Sequence, residues 1–166
     1  MRLDLDGYFK YIENMELTHQ ERLILRELQR ESAVSLAELS ARCSIPQSTL
    51  WRKVNEMEQA GLIRGRVALL EPSKLDLKLV VFAHVSLGDH SESAVTDFAS
   101  VVKAHPEIME CHAVSGNSDY ILKIRVGDVE SYERFMTHVL LRNPNVHSVQ
   151  SSFGLKELKY TTELPL

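Results

Sequence analysis

Residues 35–65 constrain this chain more than any other stretch. Leu36 and Leu39 sit three apart on one short segment, Cys43, Ser44 and Ile45 offer a tight turn, and Leu50, Val54 and Met57 then recur at helical spacing. Two short amphipathic helices joined this way form a helix-turn-helix, whose second helix packs on one face and leaves the other for a DNA major groove. The outward positions suit that task. Gln47, Ser48 and Thr49 are hydrogen-bonding side chains at the helix start, with Trp51, Arg52, Lys53 and Asn55 behind them. Trp51 is expected to be partly buried beneath the head, and Gly61 to stop the helix. The same spacing also serves a plain packed helical core, so the flanking sequence has to decide.

Upstream, Thr18 and Glu21 form a capping-box pattern opening a helix that runs to about Gln29, with Leu23, Ile24, Leu25 and Leu28 as its apolar face. Three helices, starting near Thr18, Ser35 and Pro46, make a compact head. Residues 1–16 are an acidic lead-in whose Leu3, Leu5, Tyr8, Phe9, Tyr11 and Ile12 suit an amphipathic turn or two. Residues 64–70 read as a short hinge strand ended by Glu71 and Pro72.

Beyond the hinge the periodicity changes. Residues 79–87 are β-rich, 93–104 have helical spacing, and 108–114 and 120–126 are strands around the turn cluster 115–119. Residues 129–141 form a second helix with Tyr132, Phe135, Met136, Val139 and Leu140 inward, and 146–158 a last strand. The order βαββαβ predicts a ferredoxin-like antiparallel sheet with both helices on one face. The open face needs covering, most simply by another copy of the chain, so a homodimer is expected. The predicted fold class is therefore α+β. A winged-type three-helix domain at 17–64 follows the 1–16 extension. A hinge at 65–77 leads to a βαββαβ domain at 78–166.

Charge is consistent with a DNA-binding head. The net charge of the 166 residues is −4, yet 17–66 carry eight Lys/Arg against six Asp/Glu. Phosphate affinity depends on local placement more than on total charge. So mild a positive charge argues against indiscriminate coating of nucleic acid and favours several heads acting together. No apolar run approaches the ~18–20 residues that span a membrane. No secretory signal opens the chain, and Cys43 and Cys111 lack disulfide or CxxC spacing, so a cytoplasmic location is expected.

Several runs carry a family likeness. Leu28-Gln29 resembles an "LQ" pair closing the first helix. Residues 58–65 resemble "LExxGxIxGY", 68–72 resemble "ALLNP", and 110–123 are similar to "ECHxVSGDxDYLLK". In continuous order over about residues 17–158, the chain resembles the Lrp/AsnC family of bacterial regulators. The resemblance implies a sequence-specific DNA-binding transcriptional regulator of amino-acid metabolism or transport genes. Its body would be a RAM domain that assembles dimers, often into an octamer, and senses a free amino acid between dimers. Mapped onto this sequence, the implied effector residues are Ala113, Gly116, Asn117, Ser118, Asp119 and Tyr120, with Val129, Phe153 and Gly154. The chain departs from the pattern at Asn117, where an acidic residue is usual, at Ser44, where glycine is common, and at Pro46, one place early.

The loop chemistry supports a ligand independently. Gly116 can turn main-chain N–H groups toward a carboxylate, and Asp119 can accept from an α-ammonium. The plainer reading is a hairpin turn in which Asp119 bonds its own backbone. Leucine or methionine would suit an apolar pocket around Ala113 and Val129; cysteine or asparagine would suit Asn117 and Ser118. Double-stranded DNA and a free amino acid are thus the expected partners, with no membrane, cofactor or metal. A small-molecule-binding assembly protein whose head no longer reads DNA is the alternative. Catalysis is disfavoured. Cys111 and His112, adjacent on a strand, point to opposite faces and cannot pair as thiol and base.

Overall fold

The computed structural model describes residues 17–166; the amphipathic turn expected within 1–16 lies outside them. The described residues divide into two compact units, 17–68 with Tyr160–Leu166, and Leu69–Lys159.

The first unit holds three helices. α1 (His19–Arg30) is closed at its start by the capping box: Glu21 N–H donates to Thr18 Oγ1 at 3.3 Å, and Thr18 N–H donates to Glu21 Oε2 at 2.8 Å. α2 (Leu36–Cys43) takes its cap from Ser35, and α3 (Gln47–Gln59) begins after Pro46 with no side-chain cap. The turn between α2 and α3 pivots on Ser44, whose φ of 54° lies in the left-handed region. α3 ends in a Schellman arrangement. Gly61, at φ 72°, donates to Glu58 O and Leu62 donates to Met57 O. Ile24, Leu25, Leu39, Cys43, Ile45, Leu50, Val54 and Met57 form the core. Each such side chain, fully buried, contributes about 1.5–3 kcal/mol. Arg42 adds a polar tie between α1 and α2, 3.6 Å from Glu27 and 2.7 Å from Glu31.

In the second unit, β1 (Leu79–Leu87), α4 (Glu92–Ala104), β2 (Ile108–Ala113), β3 (Tyr120–Val126), α5 (Val129–Phe135) and β4 (Val146–Phe153) follow in the expected βαββαβ order. A π-helical turn, Met136–Leu140, continues α5. The sheet is antiparallel, in the order β2-β3-β1-β4. Strand alternation divides its faces. Val81, Ala83, Val85, Leu122 and Ile124 pack beneath the helices with Phe98, Tyr132, Phe135 and Leu140. The other face presents Phe82, His84, Ile121, Lys123, Gln150 and Ser152, opposite one another in register.

Two strand expectations need correction. Residues 64–70, expected as a hinge strand, carry no regular secondary structure, because no strand among the described residues lies beside them to close a ladder. The last strand, expected to reach 158, stops at Phe153. Gly154 N–H still donates to Val80 O at 2.8 Å, but β1 begins at Leu79 and offers nothing further. Leu155 and Leu158 are consequently exposed. Residues 160–166, placed with the body by sequence, pack with the head helices instead: Leu166 joins their core cluster.

Candidate DNA-binding face and effector loop

α3 presents two unlike sides. Leu50, Val54 and Met57 are buried, while Gln47, Ser48, Arg52, Glu56 and Gln59 are exposed and Thr49 and Asn55 are half-buried. With 3.6 residues per turn, Ser48, Arg52, Asn55 and Gln59 fall on one stripe opposite the core. Glu56 and Gln59 were not singled out from the sequence, although their helical spacing places them there. Without a side-chain cap, the first-turn N–H groups of α3 remain available to an acceptor, as at helix starts that meet phosphates.

Trp51, expected to be partly buried, is 60% exposed and forms one wall of a shallow groove with Leu28, Val34, Leu36 and Leu39. The two basic residues beside it also differ. Arg52 stays on the outer stripe, 2.6 Å from Glu56 one turn on. Lys53 turns inward: its Nζ lies 3.2 Å from Glu21 Oε1, with the side chain only 13% exposed. The Thr18 hydroxyl, the Thr18 amide and Lys53 together hold the Glu21 carboxyl below its usual range. Lys53 therefore ties α3 to α1, and Arg52 is the cation of this pair that lies on the outer stripe.

The nine expected effector residues do not form one cluster. Gly116, at φ 126°, turns the loop between β2 and β3, with Ala113 before it on the last position of β2. Val114 N–H donates to Asp119 O, and Asp119 N–H to Val85 O. The N–H groups of Gly116, Asn117 and Ser118 meet no acceptor among the described residues. Ser118 Oγ sits 3.5 Å from His84 Nδ1.

The Asp119 side chain bonds groups outside its own loop. Its Oδ2 accepts from Leu87 N–H at 2.8 Å, and Oδ1 lies 2.9 Å from His90 Nε2. The Leu87 amide foremost, opposed by burial and aided by His90, holds the carboxyl below its usual range. It is thus ionised and fixed, with lone pairs left over. His90 escaped notice in the sequence because it stands 29 positions away and meets Asp119 only through strand pairing. Tyr120 opens β3, as the strand expectation had it; its ring packs on Phe98, with centroids 4.8 Å apart, against the core, and burial raises its phenol pKa.

Val129, Phe153 and Gly154 lie elsewhere. Phe153 pairs with Val81, whereas Tyr120 pairs with Val85. Four residues of strand and two strand spacings separate them, about 13 Å along the sheet and about 10 Å across it. Val129, 59% exposed, starts the helix that follows β3, at the same end of the sheet as Phe153. Phe153 is edge-on to Tyr132 at 5.7 Å. At Gly154 a Cβ would come within 3.3 Å of Val80 O, so a side chain there requires that backbone to give by a few tenths of an ångström.

Cys43 is buried and Cys111 half-buried. Desolvation raises the pKa of Cys43 and Cys111, and Cys111 packs into the core while His112 pairs with Glu110 at 3.4 Å. Among the described residues no group of three His, Cys, Asp or Glu could hold a metal ion, and no helix is long and apolar enough to cross a membrane.

Known proteins align with both units. Residues 17–64 match the winged helix-turn-helix DNA-binding family, and residues 80–164 match the Lrp/AsnC ligand binding domain. The leucine-responsive regulatory proteins of Klebsiella pneumoniae and Escherichia coli K12 are each 36% identical over 149 residues, covering 90% of this chain and 91% of theirs. A transcriptional regulator from Neisseria meningitidis, solved in complex with L-Met, is 36% identical, with a TM-score of 0.86 over 90% of this chain and 96% of that one. An AsnC family transcriptional regulator from Agrobacterium tumefaciens gives the same identity and TM-score, covering 90% and 97%. With a helix-turn-helix head and a ligand-binding body in one chain, this protein belongs to the Lrp/AsnC family of transcriptional regulators.

Proposed function

We propose that the protein reads double-stranded DNA through the outer stripe of α3 and adjusts that binding to a free amino acid held by the body. One observation carries the reading: the polar side of α3 is open to solvent while its apolar side is buried. Ser48, Asn55 and Gln47 have the donors and acceptors to read base edges, and Arg52 can sit on phosphate. Thr49 flanks the stripe, and Trp51 is placed to lie along the sugar-phosphate wall. A homodimer would address two half-sites about one helical turn apart, or a multiple of it. A mobility-shift series with rising salt, on DNA upstream of the protein's own gene, tests this. A sequence-preferring complex that weakens with salt is expected; its absence at low salt would sink the proposal.

The effector proposal rests on the β2–β3 loop. Its unpartnered N–H groups can face a carboxylate, and the ionised Asp119 can accept from an ammonium. Leucine and methionine are the favoured effectors, since the similar proteins include leucine-responsive regulators and one bound to L-Met. Cysteine is a further candidate. Because Val129, Phe153 and Gly154 stand at the other end of the sheet, a site using both clusters requires a second copy of the chain. The uncovered sheet face with Phe82, 40% exposed, suits that pairing, and dimers assembling to an octamer would bring loop and strand end together. A thermal-shift panel of the twenty amino acids decides the ligand, as one at a hundred times its Kd adds about 2.7 kcal/mol. A null result across all twenty would rule out amino-acid sensing.

The inward turn of Lys53 supports a second reading, an assembly protein whose head has lost DNA. Under it, Arg52→Ala would leave any residual DNA retention unchanged.

A further inference from the structure

The chain passes between its two units twice, once near residue 68 and again near residue 159. The second passage leads into a docked segment. Leu164 N–H donates to Gln29 Oε1 at 2.6 Å while Gln29 Nε2 donates to Leu164 O at 3.3 Å, so one side-chain amide grips that backbone from both sides. Arg26 donates through Nε, at 2.8 Å, and through Nη2 to Leu166 O. Arg30 Nε lies 3.5 Å from Glu163 Oε1, and the Leu166 side chain packs against the head core. Arg26, Gln29 and Arg30 share one face of α1 by their spacing. α3 supplies none of these bonds, so the DNA-facing stripe stays open while the segment is docked.

We infer that residues 163–166 are a strap whose docking site is this face of α1. The strap holds the head by a second attachment besides the linker and so presets the head for two-point binding. A head tied once explores many orientations, whereas a head tied twice loses less freedom when two heads engage one DNA. The strap begins only nine residues beyond Gly154, so a ligand at that strand end acts on the same length of chain. The inference deepens the DNA-binding reading and rests on it.

The test uses the full chain and two variants that attack the contact from opposite sides, Arg26→Ala/Gln29→Ala on α1 and Leu166→Lys on the strap. Hydrogen exchange followed by mass spectrometry should show residues 160–166 at least tenfold slower in the parent than in either variant. Time-resolved anisotropy of Trp51, the chain's single tryptophan, should show faster segmental motion of the head in both. On DNA selected by the parent protein, affinity for a two-half-site duplex should fall fivefold or more in both variants. Affinity for a single half-site should stay within twofold. Parent exchange at the rate of an unstructured peptide would overturn the strap. So would loss confined to the α1 variant, or unchanged head motion and two-site affinity in both. If the parent selects no DNA sequence, the DNA-binding reading fails, and exchange with anisotropy still decides whether the strap restrains the head.

Discussion

The head and the body solve their functional problems in opposite ways. The head completes its working face within one chain: a 13-residue helix buries one side and exposes the other, and the residues that matter are near neighbours in sequence. The body scatters its candidate ligand residues to two ends of a four-stranded sheet. Helical recognition is local and survives on a small core. A ligand site drawn from both groups would depend on long-range pairing and, as proposed above, on a second copy of the chain.

The independence of the two cores can be broken directly. Phe98→Ala should cost the body about 3–5 kcal/mol, and Leu50→Ala the head about 2–5 kcal/mol, since both side chains are fully or almost fully buried. Calorimetry should show each change lowering one transition and sparing the other; a common shift would mean the units melt as one.

Sharpening the head comes next in size. Ser48→Ala and Asn55→Ala should each remove about 1–3 kcal/mol of discrimination between preferred and altered DNA, with little change in folding. Equal losses on all sequences would place these residues on phosphate.

Ser44→Gly should stabilise the head by about 1–2 kcal/mol, because Ser44 occupies the left-handed region that costs a side chain this much. No gain in the head's melting temperature would show the turn to be relieved in another way.

Arg52 and Lys53, adjacent yet oppositely directed, give a smaller but cleaner contrast. Arg52→Ala should reduce the salt dependence of DNA binding by about one counterion. Lys53→Ala should leave that slope intact and cost the head about 1 kcal/mol through the lost Glu21 pairing. A matching drop in slope for both would restore Lys53 to the DNA face.

The smallest effect is on pH. The Asp119 carboxyl is depressed by Leu87 N–H and His90, so it binds its proton less readily folded than unfolded. Its contribution is present above the ordinary aspartate value, about 3.9, and disappears as pH falls through the lower folded value. Acid titration of the body should therefore lose less stability below about pH 4 in Asp119→Asn than in the parent. An equal loss in both would show that Asp119 does not couple to folding.

How much was legible beforehand follows from the range of the forces involved. The capping box at Thr18 and Glu21, the buried trio Leu50, Val54 and Met57, and the stop at Gly61 all involve residues within a turn or two, so periodicity and backbone preference announced them. The βαββαβ order and the inward strand residues followed from alternation in the same way. Three matters escaped. The pairing of Lys53 with Glu21 joins groups 32 residues apart. The packing of the Tyr120 ring on Phe98 joins a strand to a distant helix. The segment after Gly154 looked like more strand until β1 ran out of backbone to pair with it.

The sequence by itself determined the elements, their order, the two cores and the family, because each depends on near-neighbour chemistry or on motifs kept in line. Only the tertiary structure decided which basic residue of α3 stays exposed, that the effector candidates part into two groups, and that residues 160–166 return to the head. Those outcomes depend on which distant groups the fold brings within hydrogen-bonding reach, and no local spacing in a chain records that.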